Sequence, residues 1–170
     1  STLPWSRLLV MGALCWGMFS APALAAFQLL RAIEVPASGV NSLAAIGTAG
    51  TPTWLILFAN IFRATIAVPI SEELFYRGFL LGGLNAAMGA RWAVFGSAIV
   101  FALSHSYWPG WPLYFVTGLG YGFIRVQSRS LFPGIIAHSL NNLVSGLLLQ
   151  KITRGVYVDS IFRPANPSER

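Results

Sequence analysis

"AVPISEELFYRGF", residues 67–79, sets two adjacent glutamates, Glu72 and Glu73, and an arginine one helical turn later, Arg77, in an otherwise apolar run. The whole chain of 170 residues has only five acidic side chains, so two standing side by side need a physical reason. Glu73 and Arg77 are related i, i+4 with the acid first, the favourable order for a helical ion pair. Glu72 is left without a local partner, and the reading of the chain starts from that difference.

The surroundings are those of a membrane protein. The chain is 55% hydrophobic and 9% charged, against about 25% charged residues in a soluble domain. Residues 8–30, 92–124 and 130–150 contain no Asp, Glu, Lys or Arg. About 20 such residues cross a bilayer core as a helix, and helices satisfy their own backbone in lipid. No period-2 barrel pattern is present. The expected fold is all-α, an integral, multi-pass (polytopic) transmembrane helix bundle of about 5–7 helices.

The net charge of +6 would raise nucleic acid as a partner for a soluble protein. Here Arg7, Arg31, Arg91, Arg125, Arg129, Lys151 and Arg154 flank apolar runs, so the partner implied is the lipid bilayer and no nucleic acid is expected. The single Cys15 can form neither an internal disulfide nor a zinc cage. Arg7, an apolar run and "APALAA" (residues 21–26) together resemble a signal peptide with its cleavage site. The run continues to Leu30, long enough to span, so a retained first helix is expected.

Three regions follow. Residues 1–52 form an N-terminal transmembrane helix and a Gly/Pro/Ser/Ala connection, Pro36 to Pro52. Residues 53–151 form the core, with spans near 53–70, 92–107, 112–127 and 131–151. Pro69 is expected to bend or end the second span, and Ser71 to cap a new helix over 72–88. "SYWPGWP", 106–112, suits a turn at the membrane interface. Residues 152–170 form a polar tail. Arg91, Arg125 and Arg129 share one side, and Lys151, Arg154, Arg163 and Arg170 the other. The positive-inside rule does not choose between the two sides.

Ionisable groups at membrane depth cost about 2.5–3.5 kcal/mol on insertion scales and are by default paired, inward and functional. In this chain they are Arg63, Glu72, Glu73, Arg77, His105 and His138. Phe101 and His105, and His138 and Asn142, are also i, i+4, each pair on one helix face. A bundle can bring Glu72, His105, His138 and Asn142 to a common depth. Glu72 would then be a general base for water, beside an imidazole. His138 and Asn142 would donate to an oxyanion, with Glu73 and Arg77 as support.

The same buried groups also fit a proton-coupled transporter, or an interaction protein with no catalysis. Counting removes two other proteolytic chemistries, though not a serine–histidine dyad. An aspartyl site needs two aspartates, and Asp159 stands alone; the His-Glu-x-x-His motif is absent. Ser104, Ser106 and Ser139 adjoin the histidines in sequence and so point to different helix faces. Gly78 with Gly82, and Gly118 with Gly122, have the small-xxx-small spacing of close helix packing.

"EELFYR" (72–77), "FALSH" (101–105) and "HSLNN" (138–142), with "GLGYGFI" (118–124), resemble the motifs of the CPBP intramembrane protease family. That family includes type II CAAX prenyl endopeptidases and bacteriocin-processing and immunity relatives. The resemblance covers about residues 54–150. It implies an intramembrane catalytic cavity open to the bilayer, and endopeptidase action on a peptide or protein substrate, lipidated or not. It implies Glu72 as base with His105, an oxyanion site at His138 and Asn142, and support from Glu73 and Arg77. The family has been described both as metal-free glutamate proteases and as zinc enzymes. No cofactor is expected here, because Asn142 is a poor zinc ligand, with zinc the open alternative.

Overall fold

The computed structural model describes residues 3–25 and 53–162, the side chains at 53, 56, 57 and 148–162 excepted. The connection read at Pro36 to Pro52 lies outside the described residues. Every regular element among those described is helical. Helix α1 is Trp5–Ala25. A second rod comprises α2 (Thr53–Phe62), α3 (Val68–Glu73) and α4 (Leu81–Met88), joined by wide π turns at Arg63–Ala67 and Leu74–Leu80. Helices α5 (Ala90–Leu103), α6 (Trp111–Ser128) and α7 (Phe132–Phe162) follow, with one 3-10 turn, Trp108–Gly110. Among the described residues α1 alone has both the length and the hydropathy of a complete crossing; α5 is apolar but has 14 residues.

The bundle is apolar on the outside and finely packed within. Leu9, Leu14, Phe58, Phe79, Phe123 and Leu147 face outwards, while Ala93, Ala98, Ala102 and Ala137 are buried. Small residues let helices approach where lipid offers no hydrophobic drive to associate. A Cβ on Gly118 would stand 3.2 Å from Ala98, and one on Gly12 2.9 Å from the Pro133 carbonyl oxygen. These contacts seat α6 against α5 and α1 against α7. Gly89, at φ 82 and ψ 162, turns α4 into α5 with a conformation that is nearly glycine's alone.

Three local expectations are corrected. Ser71 is not an N-cap: its hydroxyl donates back to the Val68 carbonyl, 2.9 Å, and the chain stays helical through it. The π turn at Arg63–Ala67 sits directly upstream of Pro69, with the Val68 N–H bonded back to the Arg63 carbonyl, so the chain passes the proline without ending its helix. His105 lies just past the end of α5, not within a helix. The Ser104 hydroxyl and the His105 ring both bond the Phe101 carbonyl, at 2.8 and 2.7 Å, the oxygen a continuing helix would need. Helix α7 runs to Phe162 instead of ending near 151, since no proline interrupts it before Pro164.

Candidate active site

Glu73 and Arg77 form the centre of a closed polar knot. Arg77 Nη1 donates to Glu73 Oε1 at 3.0 Å, and both side chains are essentially excluded from the surface, at 0% and 1%. Arg77 Nη2 donates to the Gly118 carbonyl at 3.1 Å, tying this rod to α6. The guanidinium lies over the Phe101 ring at 4.4 Å, a contact favoured between a cation and an aromatic face. A charge so deeply placed is tolerable because each partner is charged or a strong acceptor.

His138 extends the knot to Glu72. Its Nδ1 lies 3.3 Å from Glu73 Oε1, and its Nε2 3.7 Å from Glu72 Oε2. The Tyr121 ring stacks on the imidazole at 5.1 Å, and the Tyr121 hydroxyl bonds Ser20 of α1 at 3.1 Å. A Cβ on Gly134, one turn before His138, would stand 3.0 Å from Glu73 Oε2. Glu72 differs from its neighbour: 28% of its side chain is exposed, and Oε2 has no hydrogen-bond partner. It is the more exposed carboxylate of the pair, although Oε2 itself is buried.

His105 and Asn142 stand at the edge of this set. The His105 Nδ1 contact is to a carbonyl, so Nδ1 carries the hydrogen and Nε2 of the neutral ring is left as an acceptor. The imidazole stacks on Tyr114 at 4.0 Å and meets the edge of Phe101 at 4.8 Å. Phe101 also faces His138 at 5.8 Å, so the two imidazoles flank one ring. His105 and Glu72 share no direct hydrogen bond. Asn142 Nδ2 donates to the Ala64 carbonyl, 2.9 Å, inside the first π turn, which leaves its second N–H uncommitted. Tyr121, Gly134, Ser20 and Ala64 were not nominated from the sequence. Tyr121 carried one signal, a lone hydroxyl-bearing aromatic within the "GLGYGFI" run.

Of the groups that could ligate a metal, Glu72 and His138 stand together, while Glu73 is paired with Arg77. No group of three or more His, Cys, Asp or Glu among the described residues has metal-site geometry.

A family model described as Rce1-like, type II CAAX prenyl endopeptidase, matches residues 52–144. That is more than half of the chain, and the protein belongs to this family, an all-α membrane helix bundle. The membrane-embedded CAAX protease MroQ of Staphylococcus aureus (strain USA300) is 34% identical over 88 residues, 48% of this chain and 36% of that relative. The chain therefore matches little more than a third of the relative's length. No solved structure matches. All six nominated residues fall inside the matched segment, whereas α1 lies outside it.

Proposed function

We propose that the protein is a multi-pass intramembrane endopeptidase in which Glu72 activates water. One observation carries the reading. Glu72 is the open member of an otherwise closed acid–arginine–histidine set, with its Oε2 3.7 Å from His138 Nε2. Glu72 takes a proton from water as the water oxygen attacks the scissile carbonyl carbon. The free N–H of Asn142 donates to the oxygen that becomes negative, with His138 beside it donating from Nε2 when both of its ring nitrogens carry a hydrogen. Glu72 then returns its proton to the amide nitrogen as the C–N bond breaks, leaving an acid and an amine. His105, with Nε2 as acceptor, orients the water. Glu73 and Arg77 hold His138 and the rod that bears Glu72.

A positioned base contributes roughly 10²–10⁴ in rate, and one oxyanion donor roughly 10²–10³. No step is assigned to a metal. The substrate is a peptide or protein segment within the bilayer, with or without a lipid.

The test uses the full chain, purified in detergent, with peptides in lipidated and unlipidated forms. Cleavage by the parent and none by Glu72→Gln is expected. Equal cleavage by both removes the mechanism, and Glu72-dependent proton flux in liposomes without cleavage replaces it with transport. Stoichiometric zinc together with loss of activity in chelator would overturn the metal-free chemistry.

A further inference from the structure

Helix α6, 18 residues from Trp111 to Ser128, is about 27 Å long, close to the roughly 30 Å of a bilayer core. The exposed Trp108 marks its first end, with Trp111 opening the helix itself, while the exposed Trp5 and Trp92 lie by its last turn. These are the positions of two interfacial aromatic belts.

Four arginines gather at the second end. Gly118 packs on Ala98 and Gly122 on Val94, an antiparallel register that brings Arg91 beside Arg125 and Arg129. Trp5 meets Phe132, ring centroids 4.9 Å apart, which adds Arg7 at the start of α1. None of the four forms an ion pair among the described residues, where Glu72 and Glu73 hold the only carboxylate contacts. Lys151, Arg154 and Asp159 sit on α7 beyond the opposite end, roughly 30 Å or more from its start. Arg63 lies on the second rod, ten residues before Glu73 and away from this end.

One detail indicates that these charges await an external partner. Arg129 occupies a left-handed conformation, φ 54, at the end of α6, where glycine is the relaxed choice. An arginine kept there at backbone cost, with no described carboxylate to answer it, is matched by phosphate oxygens, which take up the guanidinium fork.

We propose that the Arg7–Arg91–Arg125–Arg129 end is a docking face for anionic phospholipid headgroups, and that it lies in the leaflet where such lipids give a negative surface, the cytoplasmic one. The face is independent of the catalytic reading.

The test is native mass spectrometry of the full chain in non-ionic detergent with phosphatidylglycerol, phosphatidylcholine or inorganic phosphate. Retention of phosphatidylglycerol at least tenfold above phosphatidylcholine is expected, weakening as salt rises. Replacing all four arginines by glutamine should erase the preference, and by lysine should keep part of it. Equal retention of the two lipids, or a preference untouched by salt and by glutamine, overturns the face. Inorganic phosphate displacing the lipid at equal concentration assigns it to a soluble anion instead. For orientation, Gln127→Cys in a Cys15→Ser background should react with an impermeant maleimide only after the cells are opened. Reaction in intact cells overturns the cytoplasmic placement.

Discussion

The two imidazoles sit on opposite flanks of Phe101 in unlike surroundings. Around His138 the groups are buried and bonded to one another: Glu73 holds Arg77 and His138, Arg77 reaches the Gly118 carbonyl, and Tyr121 stacks on the imidazole. Around His105 the chain has just left a helix, one ring nitrogen is held, and the neighbouring Trp108 is exposed. On the proposed mechanism the contrast separates two duties, one wall that fixes geometry and one that would admit a substrate. Changes on the closed wall should cost stability and activity together, and changes on the open side activity alone.

Arg77→Met should do the most damage. It strands the Glu73 charge in the interior, at about 3–5 kcal/mol, and thermal unfolding in detergent should show a large loss together with inactivity. An unchanged midpoint would mean the wall is not closed. Glu72→Gln should lower cleavage by roughly 10²–10⁴ with little shift in unfolding, since its carboxylate is partly open. His105→Ala should cost about 10² in rate through a misplaced water, again without a stability change. A His105 variant that unfolded easily would erase the distinction.

Gly134→Ala, aimed at Glu73 Oε2, should cost about 1–3 kcal/mol by overpacking, and its activity should fall in step. The smallest effect belongs to Tyr121→Phe, which keeps the ring on His138 and removes the Ser20 bond. About 0.6 kcal/mol is expected for such a bond between membrane helices, with kcat nearly intact.

Spacing made local facts legible and long-range ones invisible. The i, i+4 relation foretold the contact of Glu73 with Arg77 and that of Phe101 with His105, because a helical turn dictates both. It grouped His138 with Asn142 but could not show that Asn142 reaches across to Ala64, or that His138 rather than His105 stands nearest Glu72. Those contacts depend on how helices cross, which is set by packing at Gly118, Gly134 and Ala98. The π turns were equally hidden. A slipped hydrogen-bond register has no residue signature of its own beyond Pro69, where the reading placed a bend or a helix end. The bundle class was plain from the scarcity of charge. The length of α7 was not, since polar residues past 151 look like a tail although no proline stands among them before Pro164.

The seating of α1 has an evolutionary consequence. A Cβ at position 120 would stand 2.5 Å from the Phe19 ring, so the first helix and "GLGYG" are cut to one another's shape although only the latter lies in the family-matched segment. Among chains that share this arrangement, positions 19 and 120 should therefore covary: a small residue at 19 frees 120 to grow, and a bulky one holds it at glycine.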